Sequence, residues 1–198
     1  MNSPMVDLVL ASTSPYRREL LARLTPHFRV MAPDVDESAR TDESPDALAQ
    51  RLAHAKAYAV AGTCPNALVI GSDQVAEIDG CVLGKPGSEP AAIAQLQASS
   101  GHVVHFRTAL CVIDTRGGVP MEWAATDLTA VHFRLLGNDE IERYVAIEQP
   151  LDCAGSFKAE GLGIALFDTI ESRDPTALIG LPLIALARLL RAAGLRVP

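Results

Sequence analysis

The stretch VDLVLASTSPYRREL, residues 6–20, decides the fold because it joins an apolar run directly to a helix start. Residues 6–11 are mostly apolar and few, which predicts a short buried strand. Ser14 and Pro15 follow, and they are favoured residues at the N-cap and the first position of a helix. The helix is predicted to continue to about Thr25. A buried strand that leads into a helix is typical of α/β proteins.

Strands and helices continue to alternate along the rest of the chain, and no internal repeat or linker divides it. Asp79-Gly80 is a strong turn dipeptide and predicts a hairpin within residues 75–83. We therefore expect one α/β domain over residues 1–198, with a mixed sheet and a cleft. Further strands are predicted at residues 28–32, 67–70, 102–113, 122–133 and 164–169, and helices at 45–61, 89–99, 138–147 and 182–193.

The composition argues against two classes of protein. The chain is 48% hydrophobic and has a formal net charge of -7, whereas a general nucleic-acid binder needs a broad basic surface. No stretch approaches the ~20 apolar residues that span a bilayer, and residues 1–20 lack the features of a signal peptide. The four cysteines are widely spaced. We expect reduced, mostly buried thiols in a cytoplasmic protein that binds neither nucleic acid nor membranes.

Ser12, Ser14 and Arg17 form the first candidate site, at the junction of the predicted strand and helix. Unpaired amides at a helix N-terminus attract anions, and two hydroxyls with a guanidinium would complete a phosphate cradle. The same residues also fit a plain capped helix with a surface arginine. Both interpretations stay open at this point.

Asp73 and Lys85 are candidates because of the backbone around them. Asp73 follows an apolar run at the predicted carboxyl end of a strand, where ligands bind in open α/β sheets. Gly71 would let the backbone turn there and a ligand approach closely. Lys85 stands between glycine and proline, on a stiff loop that suits a phosphate oxygen. The alternatives are an Asx-turn at the strand end and an exposed turn lysine.

Lys56 lies where a lysine is unexpected. On the predicted helix at 45–61 the apolar residues form one arc, and Lys56 falls inside it. Either its stem runs along the edge of the core, or its ammonium meets a buried anion. The chain has three lysines, Lys56, Lys85 and Lys158, against fourteen arginines, and a compact ammonium suits a site crowded by phosphate oxygens. The arc comprises Leu48, Leu52, Ala55, Ala59 and Val60.

Glu37 completes the set of candidates. Together with Asp73 it could hold one divalent ion, Mg²⁺ or Mn²⁺, because magnesium favours one or two carboxylates plus substrate phosphate oxygens. The alternative for Glu37 is a solvated acidic loop. Taken together, the cations, the carboxylates and the helix terminus indicate phosphoryl chemistry.

The order of these motifs resembles the Maf family over nearly the whole chain. The resemblance implies an α/β fold with a curved mixed sheet, flanking helices and two lobes around a deep cleft, similar to the inosine-triphosphate pyrophosphatases. It also implies metal-dependent hydrolysis between the α- and β-phosphates of a nucleoside triphosphate, often by a homodimer. Asp73 matches the family's proposed proton acceptor. The motifs are Ser12-x-Ser14-x-x-Arg17-Arg18-x-x-Leu21, Asp36-Glu37, Ala53-x-x-Lys56-Ala57, Gly71-Ser72-Asp73, Gly84-Lys85-Pro86 and Cys153-Ala154-Gly155-Ser156-Phe157-Lys158-x-Glu160-Gly161, within which Ser12, Arg17, Glu37, Lys56 and Lys85 match phosphate- and metal-site positions.

Tyr16, Gln74 and Glu160 occupy the positions that separate the branches of the family. This combination resembles the YceF-like branch, whose substrate is 7-methyl-GTP, although that branch usually has Trp at the position of Tyr16. The chemistry agrees, since an aromatic ring can stack on the positively charged 7-methylguanine and Glu160 can accept its N–H groups. The alternatives are a dTTP/UTP pyrophosphatase and a nucleotide-sensing regulator of cell division without significant hydrolysis.

Overall fold

A computed structural model describes residues 6–197 and contains one open mixed sheet flanked by helices. The sheet order is β2-β1-β3-β5-β6-β7, with β4 paired to β3. β1 runs parallel to β2 and β3, and the remaining pairs are antiparallel. The predicted α/β fold class is therefore confirmed. The strands are β1 (Asp7–Ala11), β2 (Arg29–Met31), β3 (Ala67–Ile78), β4 (Cys81–Leu83), β5 (Val103–Asp114), β6 (Met121–Phe133) and β7 (Phe167–Glu171), and the helices are α1 (Pro15–Leu24), α2 (Pro45–Ala61), α3 (Glu89–Ser99), α4 (Asn138–Glu148) and α5 (Leu183–Ala192).

Local sequence signals start the first three helices. The Ser14, Ser44 and Ser88 hydroxyls accept the N–H of the residue three positions on, and a proline stands at the first or second helical position of each helix. An N-cap of this kind satisfies an amide that the helix itself leaves unpaired. The predicted N-cap at Ser14 is confirmed.

The core falls into three apolar clusters. One lies between the sheet and helices α1 and α5, and a second lies under α2 on the opposite face. A third lies around the start of β5 and the end of β6, together with α3 and α4. β3 contributes to all three clusters, because it begins beside β1 and ends beside β4.

β3 is longer than the sequence predicts, and the placement of Asp73 at a strand end is wrong. The pairing with β1 stops at Ala11 and Gly71, but β5 pairs with β3 from Leu68 to Glu77. This long-range ladder keeps the chain extended through Asp73. Asp73 therefore lies inside β3, just beyond the carboxyl end of β1.

Gly71 serves a different purpose from the predicted one. The backbone does not turn there, and a Cβ atom at this position would lie 2.2 Å from the carbonyl oxygen of Ala53 and 2.7 Å from the nitrogen of Ala57. The missing side chain lets α2 pack directly on β3. The group that approaches Gly71 closely is thus α2, whereas the sequence predicted a ligand.

Other predictions differ from the structure in detail. The hairpin at Asp79-Gly80 is confirmed, with φ angles of 49° and 81°. The strand predicted at 164–169 begins only at Phe167, because Leu162–Leu166 forms a 3-10 turn. Ala59 of the predicted α2 arc is exposed, and the buried face uses Ala53 and Ala57 instead.

The four cysteines are free thiols. Cys64 and Cys111 are buried, Cys153 is intermediate and Cys81 is exposed, so the prediction of mostly buried thiols holds for half of them. No helix within residues 6–197 has the length and apolar character needed to cross a membrane.

Candidate active site

A cleft of about 520 Å³ opens beside the carboxyl end of β1. Its walls come from the start of α1, the loop at Glu37, the middle of α2 and β3, the loop after β4 and the segment at 152–160. The cleft brings together all ten of the residues singled out as site residues from the sequence. They are Ser12, Ser14, Tyr16, Arg17, Glu37, Lys56, Asp73, Gln74, Lys85 and Glu160.

Lys56 lies at the centre of the charged groups in this cleft. Its residue is 6% exposed, and its Nζ lies 2.6 Å from Asp73 Oδ1 and 2.6 Å from Glu37 Oε1. Asp73 is 7% exposed, whereas the Glu37 side chain is 59% exposed. Of the two interpretations of Lys56, the ammonium that meets a buried anion is confirmed.

The surrounding cations act on Glu37. Burial alone would raise the pKa of this carboxyl, but the hydrogen bond from Lys56 and the charges of Lys56, Lys85 and Arg17 outweigh it and lower the pKa. Lys85 is exposed and forms no hydrogen bond or ion pair with a residue that the structure describes. Its ammonium is thus available to a ligand in the cleft.

Arg17 reaches the cleft from the first turn of α1. Its Nε donates to the carbonyl oxygen of Gly180 at 2.8 Å. Burial lowers the pKa of the guanidinium, while the negative charges of Asp73 and Glu37 act in the opposite direction. The Nε contact fixes the orientation of the guanidinium and leaves its two NH₂ groups without a hydrogen bond to any residue in 6–197.

Ser12 and Ser14 shape the backbone at the helix start. The N–H of Ser14 donates to Ser12 Oγ at 3.1 Å, and the N–H of Arg17 donates to Ser14 Oγ at 3.4 Å. Both hydroxyl oxygens accept, so both O–H groups remain able to donate to an anion. The capped helix and the phosphate cradle are therefore compatible at this site.

Comparison with known proteins fits this geometry. A family profile described as Maf-like protein matches residues 7–193. The chain belongs to the Maf family. A protein of Xanthomonas oryzae pv. oryzae is 59% identical over 98% of this chain and 100% of its own. One from Albidiferax ferrireducens is 57% identical over 96% and 94%, and one from Alcanivorax borkumensis is 54% identical over the full length of both. Each of these relatives is named 7-methyl-GTP pyrophosphatase.

The loop between β7 and α5 is a part of this Maf site that the sequence did not reveal. Its carbonyl oxygens accept from side chains of three other elements: Gly180 from Arg17 and Ser72, and Ala177 from Thr108. Ser72 and Thr108 are completely buried. A buried hydroxyl within the Gly71-Ser72-Asp73 motif is a signal that could have been followed, but its partner is 108 residues away.

The same loop is held at its other end by α5. Asp174 Oδ2 accepts the N–H of Ile184 at 2.6 Å, and Thr176 Oγ1 accepts the N–H of Leu183 at 2.8 Å. These two side chains cap a helix whose own N-cap is Pro182. The loop is therefore fixed on both sides, which makes it a rigid support for Arg17.

The predicted specificity residues of this Maf chain have different environments. The Tyr16 hydroxyl donates to Asp152 Oδ2 at 3.5 Å. Glu160 is exposed in the cleft and makes no hydrogen bond with a described residue. Gln74 Nε2 donates to the carbonyl oxygens of Ala177 and Leu178. The amide nitrogen of Gln74 thus holds the β7–α5 loop, which leaves its carbonyl oxygen for a ligand.

Lys158 lies outside the cleft. Its Nζ donates to the carbonyl oxygen of Glu148 at 3.0 Å and lies 3.8 Å from Glu148 Oε1. Two of the three lysines, Lys56 and Lys85, therefore lie in the cleft. The third, Lys158, makes a structural contact elsewhere.

Glu37 and Asp73 fit a divalent ion only together with substrate. No group of three or more His, Cys, Asp or Glu side chains within residues 6–197 could hold a metal by itself. Glu37 Oε2 and Asp73 Oδ2 make no hydrogen bond with a described residue, so each carboxylate keeps one oxygen for a ligand. Magnesium usually completes one or two protein carboxylates with waters and phosphate oxygens. The donor set is consistent with that pattern.

Proposed function

We propose that the chain is a metal-dependent pyrophosphatase that hydrolyses 7-methyl-GTP to 7-methyl-GMP and pyrophosphate. The observation that carries the proposal is the position of Lys56 between Asp73 and Glu37, in one cleft with Lys85 and Arg17. The names of the relatives support the choice of substrate. Three cations around two carboxylates can hold a triphosphate and its metal.

The triphosphate is proposed to lie across the start of α1. The Tyr16 N–H at the start of α1 and the Ser12 and Ser14 hydroxyls donate to phosphate oxygens, and Arg17 offers its two free NH₂ groups. Lys85 reaches the phosphates from the loop after β4. These groups orient the chain of phosphates so that the α-phosphorus faces Asp73.

The reaction is the attack of a water oxygen on the α-phosphorus, with cleavage of the bond between that phosphorus and the oxygen bridging to the β-phosphate. Asp73 accepts the proton of the water. Lys56, Lys85 and Arg17 stabilise the negative charge that grows on the departing pyrophosphate. A bound Mg²⁺ or Mn²⁺, held by Glu37 and Asp73, would polarise the phosphate oxygens.

The base is proposed to lie against Tyr16 and Glu160. The Tyr16 ring can stack on a positively charged purine, and Glu160 accepts its N–H groups. Gln74 Oε1 is the remaining polar group for contact with the base or sugar. We further predict that the enzyme is a homodimer, that it acts in the cytoplasm and that it binds small nucleotides but no nucleic acid.

A competition assay tests the proposal. The purified protein is incubated with Mg²⁺ and equal concentrations of 7-methyl-GTP, UTP and dTTP, and each monophosphate is quantified with released pyrophosphate. We expect 7-methyl-GMP to be formed fastest. Preference for UTP or dTTP would replace the base assignment with that of a pyrimidine pyrophosphatase. Binding without metal-dependent release of pyrophosphate would instead support the nucleotide sensor.

A further inference from the structure

A second group of side chains in the cleft carries negative charge without a matching cation. We call it the acidic group, and it consists of Tyr16, Asp152, Cys153 and Glu160, all of which line the cleft. The Tyr16 hydroxyl donates to Asp152 Oδ2, and the Cys153 thiol donates to Asp152 Oδ1 at 3.5 Å. The two carboxylates in the group are those of Asp152 and Glu160.

The charge balance distinguishes this group from the phosphate site. Glu37 and Asp73 each lie 2.6 Å from the Lys56 ammonium. Neither Asp152 nor Glu160 forms an ion pair with any residue between 6 and 197. Lys158, the lysine nearest in sequence, donates to Glu148 instead. No cation among the described residues thus pairs directly with the carboxylates of the acidic group, although the charge of Lys158 acts on Cys153.

The pKa values of the other two members of the acidic group, Tyr16 and Cys153, are both raised. Burial raises the pKa of Tyr16, and the charges of Asp152 and Glu160 raise it further. Burial also raises the pKa of Cys153 to about 12, with Asp152 adding to the shift. Both side chains therefore stay protonated at neutral pH, and both direct a proton toward Asp152.

An unpaired carboxylate in a nucleotide cleft discriminates between bases by charge. A purine alkylated at N7 carries a positive charge, whereas an unmodified purine is neutral. Coulomb attraction then favours the charged base alone, and its size depends on salt because Asp152 and Glu160 are exposed. The Tyr16 hydroxyl lies 3.5 Å from Asp152 Oδ2, which is long for a hydrogen bond, and the Tyr16 ring can contribute a cation–π contact to the same charged base.

We propose that Asp152 is a specificity-determining residue that, together with Glu160, selects nucleotides with a positively charged base. The proposal rests on the proposed function and adds to it a residue that lies outside the sequence motifs described above. It makes charge, rather than the shape of the methyl group, the feature that is recognised.

Steady-state kinetics with 7-methyl-GTP and GTP test this proposal through the ratio of the two kcat/KM values. Asp152→Asn keeps an acceptor for Tyr16 but removes the charge, and we expect the ratio to fall about three- to tenfold. Asp152→Lys should lower it further. Asp168→Asn, which removes an exposed carboxylate on β7 outside the cleft, is the matched control and should leave the ratio unchanged.

The salt dependence of this ratio and a second variant, Tyr16→Phe, distinguish the effect of the Asp152 charge from that of the Tyr16 ring. Raising the salt from ~50 to ~300 mM should lower the ratio of the wild type more than that of Asp152→Asn, because the variant keeps only the Glu160 charge to be screened. Tyr16→Phe removes the hydroxyl but keeps the ring and the carboxylate, so it should retain most of the ratio. A loss in Tyr16→Phe as large as in Asp152→Asn would overturn the charge argument.

The same kinetic measurements also distinguish this proposal from the proposed function. A wild-type enzyme that hydrolyses 7-methyl-GTP, with the same ratio in Asp152→Asn and Asp152→Lys, would overturn the role of Asp152 alone. A wild-type protein without 7-methyl-GTP hydrolysis would overturn the proposed function itself.

Discussion

Lys56 Nζ on α2 lies 2.6 Å from Asp73 Oδ1 on β3, and both side chains are buried. The two residues are 17 positions apart and meet because α2 packs on β3 at Gly71. A buried charge is costly unless it is paired, so this contact is needed for the stability of the fold as well as for the proposed chemistry.

Replacing Lys56 with Met tests both roles of the ammonium. The variant keeps the length of the side chain but leaves Asp73 buried without its partner. We expect the free energy of unfolding to fall by about 3 kcal/mol and kcat/KM for 7-methyl-GTP to fall by about 100-fold or more. Denaturant titration and steady-state kinetics measure the two effects. Lys158→Met is the matched control, and an equal loss of activity there would contradict the special role of Lys56.

Asp73→Asn tests the proton acceptor. The amide has nearly the same shape, and Lys56 keeps its contact with Glu37, so the variant should remain folded. We expect kcat at saturating Mg²⁺ to fall by about 100- to 10,000-fold because an amide accepts no proton from the attacking water. Circular dichroism checks the fold. Wild-type turnover in the presence of metal would remove Asp73 from the mechanism.

Gly71→Ala tests the close approach of α2 to β3. The added methyl group would lie 2.2 Å from the Ala53 carbonyl oxygen, so the helix must move. We expect a loss of about 1–3 kcal/mol in unfolding free energy, as for an overpacked core, together with reduced activity as Lys56 shifts from Asp73. Gly117→Ala is the control, since a Cβ there would lie 3.9 Å from its nearest neighbour. Equal effects of the two substitutions would contradict the packing argument.

The lowered pKa of Glu37 predicts a pH dependence of stability. A carboxyl whose pKa is lower in the folded state stabilises the protein above its ordinary pKa, here 4.5, and this contribution disappears as the pH falls through the lower folded value. The wild type should therefore exceed Glu37→Gln in stability at pH 7 and lose that advantage below 4.5. Denaturant titrations of both proteins from pH 7 to pH 3 measure the difference. A constant difference would show that the charge of Glu37 is irrelevant.

Thr108→Val tests the support that the β7–α5 loop gives to Arg17. Thr108 Oγ1 donates to the Ala177 carbonyl oxygen at 2.9 Å from a completely buried position. Valine has the same shape without the hydroxyl, and we expect a loss of about 1 kcal/mol in stability. KM should rise because the loop that orients Arg17 becomes less firmly held. Thr108→Ser keeps the hydrogen bond and should keep KM, so an equal rise in both would count against this role.

Local chemistry explains which parts of the structure the sequence predicted well. Ser14-Pro15 and Ser44-Pro45 set helix starts through neighbouring residues alone. Helical periodicity likewise placed Lys56 on the buried arc of α2, but it left open whether its ammonium meets a buried anion or its stem runs along the edge of the core. Most of the predicted cleft residues could be found in this way one by one, but only the resemblance to the Maf family indicated Tyr16, Gln74 and Glu160.

Long-range pairing explains what could not be predicted. β3 continues through Asp73 only because β5, about 40 residues later, pairs with it. The contacts of Ser72 and Arg17 with Gly180 likewise join segments separated by more than 100 residues. No local pattern in the sequence distinguishes a strand that ends at Ile70 from one that continues with a new partner.

The uninterrupted course of β3 also restricts how the enzyme can close on its substrate. Asp73 and Gln74 lie on a strand that is hydrogen-bonded along its length and shared by every part of the core, so the backbone has no hinge there. We therefore expect no domain closure about the middle of the sheet. We expect the outer loops of the cleft, such as those that carry Glu37 and Lys85, to move when substrate binds, while the part of β3 that carries Asp73 and Gln74 stays in place.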